Sequence, residues 1–116
     1  MILAYLSHDE VNLDLARRLA DAAGVLLCPL FVRDTASAVS FDAVLCDLDC
    51  LPPTERARTL KVLLVGPLTC PVGVHSYSLV WSEVQALRAR GVAVSRRLHE
   101  GLFANLVRAA SDRRTG

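Results

Sequence analysis

The chain has 116 residues and a mass of 12.6 kDa, with 53% hydrophobic and 22% charged residues, six Gly and five Pro. This composition fits one compact domain and excludes a multi-domain chain, a collagen-like repeat or a disordered tail. Twelve Arg and one Lys against 12 acids leave a net charge of +1, too weak a field to draw in DNA or an anionic membrane, so neither is an expected partner.

Met1 to Leu6 is an apolar run closed by a polar cluster, the pattern of a strand buried on both faces of a parallel sheet. Ser7-His8-Asp9-Glu10 has the spacing of a capping box, with Ser7 as N-cap and Glu10 reaching back. Val11, Leu15, Leu19 and Ala22 then recur at helical spacing, widened by Leu13, Ala16 and Ala20, and Gly24 ends the helix. Val25 to Val32 is a second apolar run. Pro29 inside it removes a ladder donor, which points to an edge strand. Arg33 to Ser40 is polar and too short for a helix assignment, and Asp42 to Leu48 supplies the third strand.

Between Pro52 and Leu68 the apolar residues Leu60 and Val62 to Val65 suit either a strand or a helix, and periodicity alone does not arbitrate. Pro52-Pro53 in a first turn, the spacing of Ala57, Leu60 and Leu64, and the Gly66-Pro67 stop favour a helix. Pro71 to Ser76 follows as a strand, Leu79 to Arg90 as a helix closed by Gly91, and Val92 to Ser95 as a short strand. His99 to Ala110 forms the last helix, with Leu102, Phe103, Leu106 and Val107 inward. The domain is expected over 1–112, with 113–116 as a frayed tail.

Alternating strands and helices of this length imply a three-layer α/β/α sandwich, because right-handed crossovers set helices on both faces of a parallel sheet. The expected order of its five strands is 2-1-3-4-5, as in flavodoxin-like folds, with chemistry gathered at the carboxyl ends of the strands.

A domain of this size buries roughly two-thirds of the surface its unfolded chain exposes, so no disulfide or metal staple is required. The first apolar stretch is too short for a signal core or a membrane span, and a reduced, cytoplasmic protein is expected. Cys46 and Cys50 have no nearby Cys or His to complete a tetrahedral zinc site. With Cys28 and Cys70 they read as small hydrophobes, Cys50 and Cys70 being the more exposed.

Phe41-Asp42-Ala43-Val44-Leu45-Cys46-Asp47, followed by Leu51-Pro52, resembles the third strand of the receiver domains of two-component response regulators, and the resemblance spans nearly the whole chain. It implies Asp47 as phosphoacceptor, Ser76 as the hydroxyl that follows the phosphoryl group, and Arg96 where receivers keep a Lys. The family pattern also needs an acidic pair directly after strand one for Mg²⁺. Here those positions read Leu6-Ser7 or Ser7-His8, while Asp9 and Glu10 come one or two residues late and suit a first helical turn. Arg at position 96 is not equivalent to Lys, since a guanidinium fork differs from a compact ammonium. Asp47 and Asp49 can also cap the following turn, or share one face of the strand.

A second, shorter resemblance is to Toll/interleukin-receptor domains, through Ala4-Tyr5-Leu6-Ser7-His8 and through Trp81-Ser82-Glu83. It implies NAD cleavage with Glu83 as the catalytic carboxylate, where the ordinary alternative is a helix-surface acid. His8, His75 and His99 can gather at one sheet edge, and Arg88, Arg90, Arg96 and Arg97 make a basic cluster around the fifth strand. Together these features lead to the expectation of a stand-alone, degenerate receiver-like module with no turnover and no cofactor, Mg²⁺ being doubtful. Its expected partner is another signalling protein or a second copy of itself. Docking is expected on the helix after strand four, strand five and the last helix, anchored by Trp81, Arg96, Arg97 and Phe103.

Overall fold

The computed structural model describes residues 1–30 and 40–115. Its elements are β1 (Ile2–Leu6), α1 (Glu10–Ala23), β2 (Leu26–Leu30), β3 (Ala43–Asp47), a 3-10 turn (Leu48–Cys50), α2 (Pro53–Val65), β4 (Val72–His75), α3 (Trp81–Ala89), β5 (Ala93–Ser95) and α4 (Glu100–Thr115). Apart from Ser40, the polar stretch from Arg33 lies outside the described residues. The five strands are all parallel, in the order β2-β1-β3-β4-β5. This is the flavodoxin-like order expected from the alternation of strands and helices.

Strand parity divides the core into two layers. Leu3, Tyr5, Ala43 and Leu45 face a cluster with Ala16 and Ala20 of α1 and Leu102, Phe103 and Leu106 of α4. Leu6, Cys46, Val72 and Val74 face the opposite cluster, with Leu60 and Leu63 of α2 and Leu87 of α3. Successive side chains of a strand point to opposite faces, so near-continuous apolar runs are what a sheet covered on both sides requires. Gly73 of β4 admits α4 closely: a Cβ there would stand 3.1 Å from Leu45 Cδ1 and 3.2 Å from Leu106 Cδ2.

Residues 53–65 are helical, with Pro53 in the first turn and Gly66 at the C-cap. Of the inward residues expected there, Leu60 is buried and Leu64 half-buried, but Ala57 is exposed and Leu63 takes the second buried place. α1 also departs from its expected phase. Its buried residues are Ala16 and Ala20, and Val11 is 77% exposed, because the small alanines let the helix lie closest to the sheet. α4 continues to Thr115, past Ala110 where the sequence pattern ends it.

Ser7 is not the N-cap of α1. That position is Asp9, whose Oδ1 accepts from the Asn12 amide at 3.1 Å, and Gly24 closes the helix in the left-handed region at φ 68°. Arg90 also leaves the expected basic cluster: its guanidinium donates to the carbonyls of Leu63 and Gly66, tying the end of α3 to the end of α2. All four thiols are free, with Cys46 buried and Cys28, Cys50 and Cys70 half-buried. Burial pushes the Cys46 thiol up to about 12.

Candidate functional site

The chain leaves β1 for one side of the sheet and β3 for the other, so a crevice opens at the carboxyl ends of these strands. Register decides what meets there. Leu6 pairs with Cys46 and Asp47 with His75, so Ser7, Asp47 and His75 follow one another across the sheet, on the face that carries Tyr5.

Asp47 is 2% exposed. Its Oδ2 accepts from Ser7 Oγ at 2.8 Å and from Asn12 Nδ2 at 3.3 Å, and its Oδ1 lies 3.9 Å from His75 Nδ1. The other ring nitrogen of His75 lies 2.5 Å from the Tyr5 hydroxyl. Burial is the main influence on His75 and lowers its pKa, although Asp47, Asp49 and Asp9 act to raise it. A neutral ring that presents Nδ1–H to Asp47 accepts at Nε2, so Tyr5 is the donor. Burial foremost, then the charge of Asp47, pushes the Tyr5 phenol far above its ordinary range. Among the described residues no buried side-chain nitrogen or oxygen lacks a hydrogen-bond partner. The network is closed, as a buried polar cluster must be to avoid a desolvation penalty.

Asp49 does not share a face with Asp47, because β3 ends at Asp47 and the 3-10 turn rotates the next side chains away. Its Oδ1 accepts from Ser76 Oγ at 2.6 Å and Ser78 Oγ at 3.2 Å, and its Oδ2 from the Tyr77 amide at 2.8 Å. Partial burial alone would raise the Asp49 pKa, but these bonds, with His75 nearby, hold it below the usual carboxylate value. The hydroxyl expected to follow a phosphoryl group on Asp47 is thus bonded to Asp49.

The cations also separate. A cavity of about 180 Å³ is bounded by Asp9, Asn12, Asp47, Asp49, His75 and Arg97. Arg96 instead lines a neighbouring cleft of about 260 Å³ with Ser76, Trp81 and Arg88. Asp47, Ser76 and Arg96 therefore do not converge on one pocket, and the arginine that borders the cavity with Asp47 is Arg97. Glu10 is exposed in the first turn of α1.

The donor set does not fit Mg²⁺. Asp9 caps α1, Asp47 accepts from Ser7 and Asn12, and both oxygens of Asp49 accept from the 76–78 turn. Among the described residues no three His, Cys, Asp or Glu side chains are placed to hold a metal ion together, whereas Mg²⁺ needs several oxygens in near-octahedral array.

The three histidines have separate partners: His8 donates to the Cys50 carbonyl at 2.6 Å, and His99 Nε2 meets Ser95 Oγ at 3.0 Å. Glu83 accepts from the Val80 amide at 3.0 Å in the first turn of α3, an ordinary helix-capping contact. Of the expected docking anchors, Trp81 is 68% exposed, and Arg96 and Arg97 are exposed. Phe103 is corrected: it is 3% exposed and packs in the core under α4, since its place on the helix faces the sheet with Leu102 and Leu106. Tyr77 and Val80, 70% and 58% exposed, stand beside Trp81 in sequence and carry no periodic signal that singles them out. The roles of Tyr5, Ser7 and Asn12 were equally hidden. The only hint is a Ser directly after an apolar strand, in phase with Leu3 and Tyr5.

Fold and site together define a flavodoxin-like α/β protein with a closed polar network at the strand ends. No family model matches the sequence, and no curated protein does. One solved structure that the chain resembles is described as the yeast Spc42 trimeric coiled coil, amino acids 181–211, fused to another structure. The identity is 11% and the TM-score 0.68, over 99% of this chain and 81% of that one. At this identity the match shows a shared fold alone. Among the described residues no helix is long and apolar enough to cross a membrane.

Proposed function

We propose that the chain is a degenerate receiver-like domain that works by docking to another signalling protein in the cytoplasm, without turnover of its own. The observation that carries this reading is the grouping of exposed Tyr77 and Trp81, the latter next in sequence to exposed Val80, with Arg88, Arg96 and Arg97 around β5, an edge strand among the described residues. Aromatic and Arg side chains dominate binding hot spots, whereas singly scattered apolar residues carry no such meaning. The engagement of Asp47 by Ser7 and Asn12 supports the same reading, since a carboxylate buried under two donors is poorly placed to attack a phosphodonor.

The test is site-specific photo-crosslinking in cells of the native host, with the photoreactive residue at Val80 or, as a control, at the exposed Val11 of α1. The reading expects a defined protein adduct from position 80, absent from position 11 and lost when Arg97→Ala is added. Adducts of equal yield from both positions, or none from position 80, would overturn it.

A second reading, a working phosphoacceptor, has one observation in its favour: Asp47 borders a cavity with Asp9, Asp49 and Arg97. In it Asp47 is the nucleophile and Arg97 takes the place given to Arg96 by sequence.

A further inference from the structure

We propose that the open edge of β5 takes up an extended acidic segment of a partner protein as a sixth strand, with its carboxylates held by Arg88, Arg96 and Arg97. This rests on the docking reading and names the chemistry of the partner.

The two edges of the sheet differ. On β2 the Leu26 amide donates to the Met1 carbonyl, so alternate residues of β2 turn towards β1 and Pro29 turns outward. The outer side of β2 therefore lacks one donor where an added strand would seek it, a common way of blunting an edge. β5 has no proline. The Ser95 carbonyl accepts from the Ser76 amide at 3.1 Å, so Ser95 faces β4 and the Val94 amide and carbonyl face outward. A peptide lying alongside meets a free donor and a free acceptor at strand spacing.

Charge selects the peptide. A groove of about 890 Å³ runs along this edge, and Arg88, Arg96, Arg97 and His99 line it together with Tyr77 and Val94. Among the described residues no carboxylate lines it. The ion pairs Arg17–Asp14 and His75–Asp47 engage none of these three arginines, and all three side chains are exposed. In a chain of net charge +1 this is a local concentration of positive charge. Residues two apart on a strand share a face, so an incoming segment with acids at alternate positions presents all of them to the arginines. A second copy of the chain is disfavoured by the same feature: pairing β5 with itself sets two arginine clusters in one interface with no acid from the groove between them. Nucleic acid would satisfy the charge but not the main-chain pair at Val94.

The probe is a short fluorescein-labelled peptide of alternating Glu and Val, followed by fluorescence anisotropy with the intact chain. Binding is expected to weaken by about tenfold or more when Lys replaces Glu in the peptide, and to fall steeply with salt. The Arg96→Ala/Arg97→Ala chain is expected to lose binding to a similar extent. Val94→Pro removes the outward amide without taking a donor from the β4 ladder, although it also alters a side chain packed on the core, and is expected to abolish binding. Independently of how that variant folds, a peptide N-methylated on one alternate set of residues is expected to lose binding, while methylation of the other set is tolerated.

Equal affinity for the Glu and Lys peptides, indifference to both methylation patterns, or stronger binding of a labelled single-stranded oligonucleotide would overturn the proposal. If the peptide fails while Arg97-dependent crosslinks at position 80 persist, docking stands and strand addition falls. If both fail, the docking reading falls with it.

Discussion

Asp47 and His75 stand opposite each other on paired strands, with carboxylate Oδ1 3.9 Å from ring Nδ1 and both side chains 2–3% exposed. The relationship is structural before it is chemical. The imidazole turns its other nitrogen to Tyr5, and Asp47 fills its remaining capacity with Ser7 and Asn12, so β1, β3, β4 and α1 are joined at their site-facing ends.

Removing the acceptor at the centre of this network should be costly. Asp47→Ala leaves the Ser7 hydroxyl and the Asn12 amide without their acceptor and removes the carboxylate facing His75, and is expected to destabilise the fold by about 2–4 kcal/mol in urea denaturation. Asp47→Asn keeps one acceptor oxygen and should cost clearly less. Equal midpoints for the two variants would show that the network does not stabilise the fold.

Incubation with acetyl phosphate and Mg²⁺ separates the two functional readings. The docking reading expects no phosphoryl adduct by intact mass, because Asp47 is buried beneath two donors and Ser76 is engaged by Asp49. An adduct that disappears in Asp47→Ala would restore the phosphoacceptor in place of the docking module.

Acidification should destabilise the fold in two stages. The native pKa of His75 lies below its ordinary value, so the unfolded chain gains a proton below roughly pH 6.5 that the native chain does not bind. Stability contributed by His75 therefore falls as pH drops from there towards the native value. Asp49 acts lower down: its native pKa is also depressed, so its contribution is present above roughly pH 4 and lost as pH falls through the native value. Thermal melts across pH should lose the upper stage in His75→Gln and the lower one in Asp49→Asn. Parallel curves for the wild type and His75→Gln would contradict the assignment.

Phe103 and Trp81 should respond in opposite ways to truncation. Phe103→Ala opens the layer between α4 and the sheet and is expected to cost about 3–5 kcal/mol, with partner binding altered only through unfolding. Trp81→Ala touches an exposed ring and should stay within about 0.5 kcal/mol of the wild type, while weakening crosslinking from position 80. A large stability loss in Trp81→Ala would assign that ring to packing.

The legible part of the protein was its periodic part. Short apolar runs, a Pro in the second of them, and helical stripes closed by Gly24, Gly66 and Gly91 are local signals, because a side chain's face follows from its position along its own strand or helix. Right-handed crossovers then leave few strand orders, and 2-1-3-4-5 is the one formed. Helix phase was read less well. Val11 and Ala57 fit their stripes by spacing, yet close packing at Ala16, Ala20 and Leu63 turned them outward.

What tertiary structure alone decided is which polar groups meet. Ser7 sits where a capping residue would, but strand register brings it to Asp47, and Asp9 takes the cap. Asp49 lies two residues after Asp47, but the 3-10 turn sends it to Ser76. Arg96 and Arg97 are neighbours in the chain and share the groove along β5, yet Arg97 and not Arg96 borders the cavity at Asp47. Periodicity is a property of a residue and its near neighbours, whereas a hydrogen-bond partner 28 or 40 positions away is set by inter-strand register and by where each strand stops.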